Sequence, residues 1–287
     1  MGGSSSHRGN ITNKLKLVKF EMDSLYVIKI GGNIIDDDVK LSSFLQAFAH
    51  INGPRILVHG GGKMATRLAE SMGVKQQMID GRRVTDAGTL KIVTMVYAGF
   101  INKNIVAQLQ SFGCDALGLS GADGNLIKSR KRGSNVPAGI RPTDYGFVGD
   151  VETVNAGLLN NLLKNDHCIV LAPISHDGKG LLLNTNADTM AMEVAVAMTG
   201  LFEVSLIYCF EKEGVLMDGA DEESIIPQIN AAYFEQLKMK KVVTDGMLPK
   251  MQNAFSAINA GVSHVSIGHA DNIKLIIDNK SGTNILA

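Results

Sequence analysis

The chain contains no tryptophan, aromatic residues make up 5% of it, and 28 basic side chains balance 28 acidic ones to a formal net charge of zero. Few aromatics argue against a base-stacking platform. Balanced charge leaves no field to gather nucleic acid or an anionic membrane. No apolar run approaches the ~20 residues that span a bilayer, and the start, Met1-Gly-Gly-Ser-Ser-Ser-His-Arg-Gly-Asn, has no signal-peptide core. The three cysteines are odd in number and each lies in an apolar run. Buried free thiols in a reducing compartment are therefore expected, not disulfides, metal ligands or nucleophiles. The seven histidines show no ligand spacing, and no cysteine pair is placed for zinc. Also missing are Gly-x-x-x-x-Gly-Lys-Ser/Thr, Gly-x-Gly-x-x-Gly and Gly-x-Ser-x-Gly, which removes the ordinary P-loop, dinucleotide-fold and hydrolase-elbow readings. The expectation left standing is a soluble, cytoplasmic protein with no nucleic-acid or membrane partner.

Glycine, by contrast, is abundant at 31 of 287 residues, and two runs of it are placed alike. Ile56-Leu-Val-His-Gly-Gly-Gly62 is an apolar strand that runs into three glycines and then into a helical pattern. Leu25-Tyr-Val-Ile-Lys-Ile-Gly-Gly32 repeats the arrangement and adds Lys29 near the strand's end. Glycine lets a backbone approach an anion closely, and a helix start adds positive potential. Two such turns, one with a lysine, point to a phosphate-handling site. Short apolar runs alternate with amphipathic stretches through the rest of the chain, the pattern of a mostly parallel sheet with helices on both faces. Strands are predicted at 25–30, 56–59, 115–119, 168–174, 204–209 and 265–267. Helices are predicted at 41–50, 64–72, 86–111, 155–163, 187–198, 231–237 and 246–260. The polar stretch 125–154 reads as hairpins or a flap outside the main sheet, and Gly200 as a C-cap and boundary between halves.

Three further clusters are candidates for chemistry. Asn184-Thr-Asn-Ala-Asp188 precedes a helix; capping needs one such residue and three are present, so the surplus is free to bind a polar ligand or orient a lysine. Thr244-Asp245-Gly246 opens another helix, with either of the first two as cap. Lys250 then falls in its first turn, where a cation is disfavoured unless an anion partners it. Arg82-Arg83 precedes the long helix and offers either a fork for a carboxylate or phosphate, or merely a solvated pair.

Together these residues resemble the amino-acid kinase superfamily, most closely its acylglutamate branch. The resemblance runs from Ser24 to Ala287. It rests on Lys29-Ile-Gly-Gly, His59-Gly-Gly-Gly, Gly81-Arg-Arg-Val-Thr, Gly146-Phe-Val-Gly-Asp-Val with Val154-Asn155, Asn184-Thr-Asn-Ala-Asp, Val243-Thr-Asp-Gly-Met with Lys250, and the ending Gly282-Thr-Asn-Ile-Leu-Ala. It implies a three-layer αβα sandwich around a mainly parallel sheet, in two lobes. Residues 1–22 would be a disordered leader or expression remnant, 23–200 a lobe for acylglutamate binding and dimerisation, and 201–287 a lobe for ATP. The implied reaction is phosphorylation of the side-chain carboxylate of N-acetyl-L-glutamate, or of another N-acylglutamate such as N-succinyl, in arginine biosynthesis. ATP would bring Mg²⁺ on its own phosphates, with no metal ligand from the protein. By match of motif, Lys29 and Lys250 would be the transition-state lysines and Asp188 would orient both. Gly61, Gly62, Arg83 and Asn184 would hold the acyl amino acid; Gly31, Gly32, Glu211, Gly214 and Met247 would hold the nucleotide. The acceptor carboxylate, with an ordinary pKa of ~4.3, is already ionised at neutral pH, so no general base is required.

Three departures accompany the resemblance. The nucleotide turn reads Phe210-Glu211-Lys212-Glu213-Gly214, where an aspartate after Thr or Ser is usual, and Asn279-Lys280 stands where arginine-regulated members carry a glutamate-containing pocket. The loop Ala172-Pro-Ile-Ser-His-Asp177 differs from the usual one and leaves the size of the acyl group open. An arginine-insensitive homodimer is expected, with Ile92, Val96 and Phe100 of the long helix as the contact face. The alternatives are a sister kinase acting on UMP, aspartate or carbamate, and a catalytically silent regulatory subunit.

Overall fold

Strands with apolar residues on both faces must be covered on both, and the chain supplies helices to do so. The computed structural model describes residues 22–79, 82–133, 144–243 and 246–287. The described residues open with β1 (Ser24–Ile30), the single turn α1 (Gly32–Ile35), α2 (Asp38–Ala49), β2 (Arg55–His59) and α3 (Gly62–Ser71). An antiparallel pair, β3 (Gln77–Ile79) and β4 (Arg82–Val84), leads to α4 (Ala87–Thr94), a π-helical stretch at Met95–Ile101 and α5 (Asn102–Ser111). β5 (Ala116–Ser120), β6 (Ile127–Lys131), β7 (Gly149–Val154) and α6 (Ala156–Leu163) follow. Next come β8 (Cys168–Ala172), β9 (Ile174–His176), β10 (Leu182–Asn184) and α7 (Ala187–Met198). The remainder is β11 (Glu203–Phe210), β12 (Gln228–Ile229), α8 (Ala231–Met239), α9 (Leu248–Asn259), β13 (His264–His269), α10 (Ile273–Ile277) and β14 (Thr283–Ile285).

One eight-stranded sheet runs β12-β14-β13-β11-β1-β2-β8-β5, parallel except between β13 and β14. Strand parity divides the core into two layers. Leu25 and Val27 face a cluster with Met190, Val194 and Met251, whereas Ile28 and Ile30 face one with Phe44, Leu45 and Ile105. The same parity turns Lys29 toward the first layer, where α7 and α9 pack. The stretch predicted as a flap does leave the main sheet: β6 and β7 join β9 and β10 in a separate four-stranded sheet, ordered β10-β9-β6-β7.

Several expectations are corrected. The strand predicted at 168–174 is two strands in two sheets, because Pro173 has no N–H to continue the ladder. The helix predicted at 86–111 is interrupted by the π-helical stretch, which rotates its faces. Ile92 and Val96 consequently pack into the chain's own core while Phe100 is 62% exposed, so the three do not form one outward face. The helix predicted from 246 begins at Leu248, with Met247 at its cap making no side-chain bond. The two caps considered for it, Thr244 and Asp245, lie outside the described residues, as does the leader up to residue 21. Among the described residues, no helix is long and apolar enough to cross a membrane.

Candidate active site

In a parallel sheet all the carboxyl ends of the strands share one edge, and the chemistry gathers there. Lys29 projects from the end of β1 and Asp188 sits in the first turn of α7, whose Asn186 cap accepts from the Thr189 amide at 3.0 Å. Lys29 Nζ lies 2.6 Å from Asp188 Oδ1, off the hydrogen-bond axis, and Lys250 Nζ donates to Oδ2 at 3.1 Å. The anion that Lys250's place at the start of α9 called for is therefore this carboxylate. Burial pushes the Asp188 carboxyl upward, but Lys29 and then Lys250 outweigh it and hold it below its usual value. Tyr208, register partner of Lys29 on β11, donates its hydroxyl to the Asp188 carbonyl at 3.1 Å and fixes the turn. Burial, then the nearby Asp188 charge, raises that phenol well above its ordinary value, which keeps it a donor.

These groups open on a cavity of about 490 Å³ lined by Lys29, Lys250, Gly31, Gly32, Gly62, Lys63, Glu211 and Met247 among others. A Cβ at Gly31 or Gly32 would meet no neighbour nearer than 3.8 Å. The fold itself does not need those two glycines; what they clear is the cavity. Gly61 is different. Its φ of +145° and the Ile101 and Tyr97 side chains leave no room for a Cβ, so the turn into α3 depends on it. Gly214 does not line this cavity, since its Cβ would stand 2.7 Å from Thr283 Oγ1. In the unusual turn, Glu211 reaches the cavity while Glu213 Oε2 accepts from Asn272 at 2.7 Å.

A second cavity, of about 230 Å³, is lined by Gly60, Gly61, Gly62, Arg83, Tyr97, Arg132 and Asn184 among others. Gly62 belongs to both cavities, so they meet there. Arg83 is anchored rather than solvated: its Nη2 donates to Gly62 O at 3.0 Å and Thr66 Oγ1 at 2.8 Å, and its Nη1 to Gln76 Oε1. Asn184 Nδ2 donates to Thr85 Oγ1 at 3.0 Å.

Sequence reasoning missed three contributors. His59 is fully buried, and burial chiefly lowers its pKa to about 4, so the ring is neutral at pH 7. Nδ1 lies 2.8 Å from Gly60 O and Nε2 lies 3.3 Å from Asn102 Nδ2. Only a proton on Nδ1 satisfies both contacts, so the ring donates to Gly60 and accepts from Asn102, fixing the glycine turn. Its signal was a histidine wedged between an apolar strand and three glycines. Lys63, one residue into α3, adds a third cation and contacts Asn33 Oδ1. Arg132 had no signal beyond membership of the basic run Arg130-Lys-Arg. It is held by Asp150 Oδ1, at 2.8 Å from Nε and 2.5 Å from Nη2. Among the described residues, no three His, Cys, Asp or Glu side chains are grouped to hold a metal.

Comparison with known proteins bears on this arrangement. Residues 24–269 match the family described as the Amino acid kinase family. An acetylglutamate kinase of Cytophaga hutchinsonii is 54% identical over 93% of this chain and all of its own length. One of Bacteroides thetaiotaomicron is 52% identical over 92% of this chain and 98% of its own. Among solved structures, N-acetylglutamate synthase from Neisseria gonorrhoeae, complexed with coenzyme A and N-acetyl-glutamate, superposes with a TM-score of 0.76 at 20% identity. That match covers 93% of this chain and 60% of the synthase, and shows likeness of fold.

Proposed function

The chain belongs to the amino acid kinase family and, within it, to the acetylglutamate kinases, and from that premise we propose how its two cavities divide the phosphorylation of N-acetyl-L-glutamate by ATP. The protein is an enzyme that phosphorylates the substrate's side-chain carboxylate to an acyl-phosphate, a step of arginine biosynthesis. The larger cavity takes the ATP phosphates, the smaller takes the acyl amino acid, and the phosphoryl group crosses beside Gly62. The observation that carries this reading is the sharing of Gly62 by a cavity with two carboxylate-bridged lysines and one with two arginines.

The smaller cavity draws its lining wholly from residues before 200, whereas Glu211, Met247 and Lys250 of the larger one come from after it. The lobe boundary at Gly200 accordingly separates an acylglutamate lobe from one that closes over the nucleotide. Lys29 and Lys250 neutralise the charge that spreads over the phosphoryl oxygens, and Asp188 sets their separation. Gly31 and Gly32 leave room for phosphates, and Mg²⁺ arrives on those phosphates. Arg83 and Asn184 hold the substrate's α-carboxylate and acyl amide, with the His59-braced glycine turn presenting backbone amides. The acceptor is ionised already, so alignment of two anions is the catalytic task. The working unit on this reading is a cytoplasmic homodimer, with exposed Met95 and Phe100 on its contact face.

A second reading, on the acyl group, is favoured by Arg132. With the side-chain carboxylate turned to the lysines, N-acetylglutamate offers the smaller cavity one carboxylate for two guanidiniums. An acyl chain ending in a carboxylate, as in N-succinyl-L-glutamate, would meet the donors that Asp150 leaves unused on Arg132. The test of both readings is an ADP-release assay comparing acetylglutamate, succinylglutamate, glutamate, aspartate and UMP. Turnover with an N-acylglutamate and none with the other three supports the assignment. Turnover with UMP or aspartate instead would overturn it, and equal loss of both acyl substrates' binding in Arg132→Gln would overturn the second reading.

A further inference from the structure

Two thiols and a guanidinium meet at the opposite edge of the sheet, where β2, β5 and β8 begin. Ala116 of β5 is the register partner of Cys168, the first residue of β8, and the Cys168 amide donates to Asp115 O at 2.8 Å. Residues two apart on a strand share a face, so Cys114, Ala116 and Cys168 point the same way, into the same core layer. Cys114 and Cys168 are thus neighbours in one layer, near enough for each thiol to bear on the other's proton. Arg55, the first residue of β2, donates from Nη2 to Cys114 Sγ at 3.3 Å and to Ala49 O at 3.1 Å. Its other contacts are Gly53 O and the Phe48 ring, and its Nε is buried without a partner. Among the described residues no carboxylate pairs with this guanidinium. Asp115, the nearest one in sequence to Cys114, is held by His167 Nδ1 at 3.0 Å. The sulfur is thus the anion available to Arg55.

We propose that Cys114 and Cys168 form a thiol–thiolate pair that reacts with low-molecular-weight disulfides such as oxidised glutathione, closing an intramolecular disulfide. Both residues are 3% exposed, yet Cys114 lies between exposed Gly113 and Asp115, and a cavity of about 190 Å³ lined by Arg55, His167 and Cys168 reaches the partner thiol, that of Cys168. The Cys168 thiol, then Arg55, stabilises the Cys114 thiolate against its burial and lowers its pKa to about 6. The Cys114 sulfur and burial push Cys168 upward, and burial pushes isolated Cys209 up to about 12. The Cys114 thiolate attacks one sulfur of the small disulfide, forming a mixed disulfide and expelling one thiolate, which takes a proton. Cys168 then loses its proton to solvent and attacks Cys114 Sγ, releasing the second thiol. The protein dithiol is oxidised by two electrons and one disulfide is reduced to two thiols.

The full-length, pre-reduced protein is exposed to oxidised glutathione at pH 7, quenched in acid, alkylated and digested for mass spectrometry. A linked 114–168 peptide with Cys209 still free is expected. Cys168→Ser should trap glutathione on Cys114, and Cys114→Ser should leave Cys168 unmodified. Alkylation of Cys114 by iodoacetamide in the unsubstituted protein should reach half its limiting rate near pH 6, about two and a half units below an ordinary thiol, and Arg55→Gln should move that midpoint upward. Modification of Cys209 as fast as Cys114, or a Cys114 midpoint near pH 8.5, overturns the proposal whether or not the variants fold. An unmoved midpoint in folded Arg55→Gln removes Arg55 as the counter-ion.

Discussion

Replacing Asp188 by asparagine would delete the negative charge shared by two ammonium groups while nearly preserving shape. Lys29 and Asp188 side chains are only 8% and 14% exposed and Lys250 18%, so this is the breaking of a mostly buried pair. Removing one partner of such a pair costs ~3–5 kcal/mol. Two features favour the low end. Both lysines line a cavity of about 490 Å³ that admits water to them, and the amide oxygen remains as a neutral acceptor. A loss of about 3 kcal/mol is expected, equivalent to a fall in Tm of roughly 6 °C for a chain of this size. Freed of their carboxylate, the lysines are available to phosphate, so ATP should raise Tm by more in the variant than in the parent. Turnover should nevertheless fall ~10²–10³-fold, because the cations lose their fixed separation. Affinity and rate then move in opposite directions. Because Asp188 is held below its usual value, its contribution is complete above the ordinary carboxylate range and is lost only as pH falls through the lowered value. The stability gap should therefore persist at about pH 5. Thermal unfolding with and without ATP and Mg²⁺, beside ADP release, measures all of this. A variant as stable as the parent, or one that ATP protects less, would refute the reasoning.

Arg83→Lys should weaken acylglutamate binding with little change for ATP, because lysine keeps the charge and loses the planar fork that reaches Gly62 and Thr66; a fall in ATP affinity in titration calorimetry would move Arg83 to the nucleotide side. With a folded pKa of about 4, His59 stays neutral while the unfolded chain takes up a proton, so stability should decline from about pH 6.5 towards 4, by about 3 kcal/mol at most. Denaturant titrations across that range check the slope, which His59→Gln should flatten. Millimolar arginine should leave turnover unchanged, since Lys280 beside Asn279 would repel a cation; inhibition in the ADP-release assay would count against it.

Most of the fold was legible because a parallel sheet writes itself in apolar runs that end in glycine or proline. All six predicted strand regions carry strands, and the stretch 125–154 separates from the main sheet as its polarity suggested. The errors have local causes. The apolar run through Pro173 looked continuous because hydrophobicity does not register a missing N–H. The helix interruption at Met95–Ile101 involves no proline, and a π-helical stretch leaves apolar periodicity nearly intact while turning the face. The short strands β9, β10, β12 and β14 are two to three residues long, below what alternation can reveal.

The lysine–carboxylate–lysine bridge was legible for a different reason: each member broke a local rule. Lys29 interrupts an apolar strand, Lys250 stands at the wrong end of a helix, and Asp188 exceeds what its helix needs for a cap that Asn186 already supplies. Three local violations at one sheet edge resolve together when the side chains meet. Arg132 broke no such rule, since a basic residue in a polar stretch is ordinary, and His59, although it ends an apolar strand, gave no sign of what it would brace. Their roles exist only through Asp150 and Asn102, which are remote in sequence. The cysteines invert the case. Their apolar settings correctly announced burial, and burial alone predicts inert thiols. What alters that prediction is Arg55, 59 residues from Cys114 in sequence and without a carboxylate of its own. Burial raises a lone thiol's pKa, as at Cys209, but a neighbouring thiol and then a half-buried guanidinium reverse the sign at Cys114. A residue's reactivity here follows from which charge is left unmatched beside it.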